Sequence, residues 1–201
     1  MRKACLMLPI VCLLCLSACR MKTPDDLWTL LQEKYEAAEY SDLTGELTVR
    51  LGEICYPFTL RYTEKDGAAV QVVEKPDNIA GLSAAVSEDD GILLTYDGAE
   101  LYAGSLGTYR CSPLALMPTV LNCCRTHNAV SLCYTCVEGV DCLETDFEPE
   151  PGLFLRCWFD RETLLPVSAE LFSDDVLAVS CVFRDCSVFP AEEEVFLPDP
   201  H

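Results

Sequence analysis

Hydrophobic residues recur along this chain with two distinct periods. Leu27, Leu30, Leu31, Tyr35 and Ala38 follow one another at three- and four-residue steps, with Glu33, Glu36 and Glu39 on the other side. That spacing predicts one amphipathic helix running to about Tyr40. Thr23-Pro24-Asp25-Asp26 is its start signal: a hydroxyl cap, proline at the first helical position and acids in the first turn. After Ser41 the period drops to two. Leu43, Gly45, Leu47, Val49 and Leu51 alternate with polar residues, as do Ile54, Tyr56, Phe58, Leu60 and Tyr62. A tight connection at Gly52-Glu53 joins the two runs into a hairpin. Further strands are expected near 68–74, in "LSAAVSE", "ILLTYDG" and "AELYAG". Ser112-Pro113 opens a second helical stretch, "PLALMPTVLNCCR", which Pro118 should kink or restart. Alternation then returns in "AVSLCYTCV", "DCLETDF", "LFLRCWF", "LPVSAELF" and "LAVSCVFRDCSVF".

The predicted order is helix, five or six strands, helix, five strands. Strands joined by tight turns pair antiparallel. Two amphipathic helices need one face of such a sheet to lie on, so the expected class is α+β: a strongly twisted antiparallel sheet with helices over its concave side. No internal repeat or linker divides it.

The N-terminus changes the setting. Arg2 and Lys3 precede the apolar run "ACLMLPIVCLLCLSA", which ends at Leu16-Ser17-Ala18-Cys19. The run is too short for an ordinary spanning helix and has the form of an export signal. Its last four residues resemble the bacterial lipobox, in which small residues precede the modified cysteine. The resemblance implies a signal peptide at 1–18 and diacylglyceryl attachment to Cys19. That would tether the domain to the extracytoplasmic face of the cell membrane. Residues 19–189 then form one domain, and 190–201 an acidic, proline-bearing tail. Loss of Arg2 and Lys3 leaves 12 of the 14 basic residues against 33 acidic ones, a balance of −21. Such a charge argues against nucleic acid as a partner. Half of the residues are apolar, which excludes a disordered acidic chain.

Cysteine is the one abundant reactive residue. Ten of the 14 remain beyond Cys19, and "NCCRTHNAVSLCYTC" holds four of them beside His127. A disulfide framework suits an exported chain. Yet the cysteines stand inside apolar runs, as small buried residues would. A metal or redox module is a third reading. Against it, residues 129–137 read as a strand, which sends Cys133 and Cys136 to opposite faces, and Cys123 and Cys124 diverge on a helix. No nucleophile elbow, phosphate loop or calcium loop accompanies them, so no catalytic residue, metal ligand or cofactor is assigned. The acidic pairs fall in expected turns.

The element order and the stretches "LTGELTVRL", "YPFTLRY", "SPLALMPTVL" and "LFLRCWFDRETLLPVSAELF" resemble the LolA/LolB-like superfamily of bacterial lipoproteins and lipoprotein carriers. The likeness is closest to lipid-anchored members from spore-forming Firmicutes, including germination lipoproteins. Phe-Asp-Arg-Glu-Thr-Leu-Leu-Pro at 159–166 is similar to a turn of that family. The resemblance implies an unclosed half-barrel of about eleven strands with a helical lid and no enzymatic activity. It also implies a role in binding: a protein partner in the envelope, such as a hydrolase or another lipoprotein, or alternatively an acyl lipid in the cavity. Tyr56, Phe58, Tyr62, Leu94, Tyr96, Phe154 and Trp158 are the expected lining residues.

Overall fold

The computed structural model describes residues 22–87, 91–103 and 112–190. The signal segment, Cys19, Cys111 and the tail beyond Pro190 lie outside them. Helix α1 (Pro24–Glu36) is followed by β1 (Ala38–Leu51), β2 (Ile54–Lys65), β3 (Ala68–Lys75), a 3-10 turn (Asp77–Ile79), β4 (Ser83–Ser87), β5 (Gly91–Tyr96) and β6 (Ala99–Tyr102). Helix α2 (Pro113–Thr126) leads to β7 (Ser131–Val137), β8 (Val140–Glu150), β9 (Leu153–Asp160), β10 (Pro166–Ser173) and β11 (Val176–Pro190). The strands form a single sheet in the order β6-β5-β4-β3-β2-β1-β11-β10-β9-β8-β7. Every pairing is antiparallel, and the end strands β6 and β7 do not meet.

Each half of the sheet is a meander, so the one long-range pairing, β1 with β11, stitches the two halves together. The helices pack chiefly on the half that ends in β7: α1 against β7, β8 and β11, and α2 against β1, β8 and β10. Between helices and sheet lies the core, with Leu31, Tyr35, Leu43, Leu116, Met117, Leu143, Phe147, Leu155, Phe159 and Leu171 all removed from solvent.

The start of α1 is built as its residues predict. The Thr23 hydroxyl accepts from the Asp26 amide, and the Asp26 carboxylate accepts from the Thr23 amide. Its end comes earlier than expected, at Glu36 instead of Tyr40. Residues from Ala38 onward are drawn into the β1–β11 ladder, where Tyr40 pairs with Phe189 and stacks on its ring at 6.3 Å. Pro118 does not restart α2, which runs through it as one helix. Proline cannot donate to the carbonyl four residues back, that of Leu114. The Gln71 side chain supplies the missing donor, with Nε2 2.6 Å from the Leu114 oxygen.

The turn at 160–165 seats α1. Asp160 Oδ1 accepts from the amides of Glu162 and Thr163 and from the Thr163 hydroxyl. Partial burial opposes the Asp160 charge, but these donors outweigh it and hold the carboxyl below the usual aspartate range. The turn then presents its carbonyls to the helix. Lys34 Nζ donates to Thr163 at 2.7 Å, and the Tyr35 hydroxyl donates to Leu164 at 3.2 Å.

Candidate functional site

Directly opposed residues of antiparallel strands share a face, so the register assigns every candidate side chain. The Gly45 position faces Met117 of α2, which makes the odd-numbered residues 41–49 of β1 the helix-bearing face. Leu43, Leu47 and Val49 oppose Tyr62, Phe58 and Tyr56 of β2. On β3, Gln71 opposes both Tyr62 and Ala84, and Ala84 opposes Leu94. Tyr96 is two residues further along β5. Five candidates, Tyr56, Phe58, Tyr62, Leu94 and Tyr96, therefore share the inner face.

Phe154 and Trp158 do not, and this corrects the sequence expectation. On β9 the inner residues are Leu153, Leu155, Cys157 and Phe159, which alternate with Phe154, Arg156 and Trp158. Trp158 donates its indole N–H to Glu144 at 2.8 Å, and Arg156 forms a two-point pair with Asp146. Phe154 packs edge-on against Phe172. Charged partners on that side hold β9 with this parity outward.

The five inner residues differ in their cover. Tyr62 is core: it is 3% exposed, and its hydroxyl donates to Glu64, which Arg125 of α2 grips at 2.8 Å. Burial, reinforced by the neighbouring Glu64 charge, pushes the Tyr62 hydroxyl well above the usual tyrosine range. Arg125 Nε also donates to the Tyr35 carbonyl, so one guanidinium joins α2, the end of α1 and β2.

Beyond this latch the cover ends. Along β2 the exposure of inner side chains rises from 0% at Leu60 to 43% at Tyr56 and 58% at Ile54. Leu51 is exposed on β1, and so are Tyr96 and Leu101 across the sheet, where Leu101 opposes half-buried Leu94. Leu51, Ile54, Tyr56 and Phe58 thus form the open, apolar mouth of a trough at the β1–β2 hairpin end, while Leu94 and Leu101, level with Tyr62 in the register, and Tyr96 continue the same face three and four strands away. Sequence reading missed Ile54 and Leu101, although both have the same parity as the chosen aromatics. Phe58 also borders a cleft of ≈ 630 Å³ where β3 leaves β2, with Pro57, Lys75, Pro76 and Asp77.

The cysteine cluster disperses. Cys123 and Cys124 are buried in α2, while Cys133 and Cys136 are exposed on β7 and have opposite parity. All nine described cysteines are free thiols, and no group of three His, Cys, Asp or Glu among the described residues is placed to hold a metal. Burial pushes the Cys123 thiol up to about 12 and raises Cys124, Cys157 and Cys181 as well. Reaction with a thiol reagent requires the thiolate and access to it. In native protein at pH 8, peptide mapping should therefore find Cys55, Cys133 and Cys136 modified, with Cys123, Cys124, Cys157 and Cys181 protected until denaturant is added. Protection that survives denaturation but not reduction would establish disulfides instead.

No protein-family model matches the sequence, and no curated protein matches it. Solved structures do resemble the fold. An uncharacterized conserved protein from Thermus thermophilus aligns over 89% of this chain and 95% of its own, at 6% identity and a TM-score of 0.50. The Mycobacterium tuberculosis lipoprotein LppX aligns over 82% and 96%, at 12% identity and a TM-score of 0.46. A LolA superfamily protein from Nitrosomonas europaea aligns over 85% and 97%, at 9% identity and a TM-score of 0.38. At such identities the likeness is one of fold. Among the described residues, the unclosed, wholly antiparallel sheet of eleven strands with two helices on one face is the architecture that the sequence resemblance implied.

Proposed function

We propose that this chain is a non-catalytic lipoprotein of the cell envelope, tethered by lipid at Cys19, whose twisted half-barrel holds an acyl chain in its inner trough. The helices act as the lid over the other half of the same face. One observation carries the reading: on the helix-bearing face the paired apolar side chains of β1 and β2, Leu51, Ile54 and Tyr56, stay exposed where the helices stop. A contiguous exposed apolar surface of this kind marks a binding site. A tyrosine-rich wall suits a ligand with an apolar body and a polar end.

The test is binding of an anthroyloxy-labelled fatty acid, followed by fluorescence. Tyr56→Asp and Tyr96→Asp are each expected to weaken binding at least about tenfold, equivalent to roughly 1.4 kcal/mol. Leu93→Asp is the control, because Leu93 is similarly exposed but opposes Tyr102 on the outer face. Equal loss in all three variants, or no binding by the unaltered protein, sinks the reading.

A protein partner, such as an envelope hydrolase or another lipoprotein, is the second reading. It is favoured by edge strand β6, whose four residues are all exposed, with Leu101 and Tyr102 at 64% each. An open edge with apolar side chains accepts a strand from another chain.

A further inference from the structure

Lys22 and Thr23, the first described residues, are held by hydrogen bonds. The Tyr134 hydroxyl of edge strand β7 donates to the Lys22 carbonyl, and the capping box of α1 begins at the next residue. The Arg161 guanidinium lies 4.0 Å from the centre of the Tyr134 ring, and Lys22, Leu27, Asp141, Arg161 and Glu162 surround one shallow cleft. Only Cys19, Arg20 and Met21 separate this fixed point from the lipid. Three residues span at most about 10 Å.

We infer that this short tether pins the corner formed by β7, the 138–139 turn and the 160–165 turn to the membrane surface, so that the mouth of the trough faces away from the anchoring bilayer. The inference rests on the lipidation reading of Cys19. The corner and the mouth are far apart in both directions of the sheet. β7 is the outermost strand on one side, six strands from β2, or about 29 Å along the sheet at ~4.8 Å per strand. The 160–165 turn is at the level of Leu43, since Cys186 both opposes Leu43 and contacts the Pro166 carbonyl. From Leu43 to Leu51 at the mouth is about 26 Å at ~3.3 Å per residue. Charge acts in the same direction. At the corner Lys22, Lys34 and Arg161 stand against Glu138, Asp141, Asp160 and Glu162, whereas Glu53, Glu74, Asp77, Asp97 and Glu100 toward the other end have only Arg50 and Lys75 beside them. An anionic leaflet repels that end. Cargo therefore enters from the envelope side and is not drawn directly from the leaflet that holds the protein.

The test uses the mature lipidated chain in vesicles of phosphatidylethanolamine and phosphatidylglycerol carrying a diazirine at the lipid headgroup. After irradiation, mass spectrometry locates the labelled peptides. Given the ~10 Å reach of the tether, residues 22–27, 138–141 and 160–165 should be labelled about fivefold above 51–56 and 96–101. Equal or greater labelling at the mouth overturns the orientation. A flexible Gly/Ser spacer of about 20 residues between Met21 and Lys22 should abolish the contrast. Contrast that survives it overturns the tether as the cause. The mass of the N-terminal peptide from the same sample reads lipidation separately, and an unmodified Cys19 refutes that reading alone. The orientation is then read on the same chain carrying hexahistidine before Met21, held on nickel-chelating lipid.

Discussion

Gly45→Val is expected to destabilise the domain by about 3 kcal/mol or to prevent folding, and Gly45→Ala by about 1–3 kcal/mol, in urea unfolding followed by tryptophan fluorescence. The direction is unusual for a strand. Alanine or valine in place of a strand glycine ordinarily stabilises, because glycine loses more backbone freedom on folding and valine favours the pleated conformation. Here space decides. A Cβ at position 45 would stand 2.5 Å from Cys181 Sγ and 2.8 Å from the Met117 methyl, both in the closed core. Met117 has several torsions with which to yield. Cys181 has one, and it is wedged beneath α2. The glycine also adjoins the register shift between Thr44 and Gly45, where β11 carries an extra residue, Arg184, and bends against β1. A close approach of helix to sheet at this bend leaves no room for a side chain. The Cys181→Ala background separates packing from backbone effects: removing Sγ should recover most of the Gly45→Ala loss, with a coupling of about 0.5–3 kcal/mol. Additive effects, or a stabilised Gly45→Ala, would mean that α2 does not approach β1 this closely.

The same residue shows how far periodicity reads a fold. Gly45 sits at an apolar parity position, so alternation assigned its face, but nothing in the sequence revealed that Cys181, 136 residues later, fills the space beside it. Element types and their order were legible because each segment keeps one period and carries its own punctuation: Thr23-Pro24 before α1, Asp66-Gly67, Asp97-Gly98 and Glu138-Gly139 between strands. The end of α1 was not, since Tyr40 fits the helical spacing and is claimed for β1 only by its pairing with Phe189. Pro118 reads as a break because its remedy, the Gln71 amide, comes from a strand 43 residues away from the Leu114 carbonyl it serves. Alternation puts the candidates of β2 and β5 on the helix-bearing face and those of β9 on the opposite one. Aromatic character was followed there in preference to charge, although Arg156 and Asp160 share the parity of Phe154 and Trp158 and mark it as outward.

That misreading supplies a sharp comparison of two neighbours. Phe159→Ala should cost about 3–5 kcal/mol, whereas Trp158→Ala should cost on the order of 1 kcal/mol, despite the larger side chain removed. Phe159 is wholly buried under α1 and meets the Tyr35 ring edge-on at 6.0 Å. Its truncation leaves a cavity between helix and sheet that the backbone ladders of β8 and β10 prevent from collapsing. It also removes the aromatic contact that locates Tyr35, whose hydroxyl ties α1 to the 160–165 turn. Trp158 is half-buried on the other face, where it loses one hydrogen bond to Glu144 and some cover over the outer strands, while Glu144 remains accessible to water and to Arg156. In a domain of this size each kcal/mol moves the melting temperature by roughly 2–4 °C, so the two variants should separate by several degrees in thermal unfolding. A reversed order would place Trp158 in the core, invert the face of β9, and with it deny the helices the apolar floor of Leu155, Cys157 and Phe159 on which they rest. Since the open trough is the continuation of that same face past the end of the helices, the order of these two melting temperatures also tests on which side of the sheet a ligand must be sought.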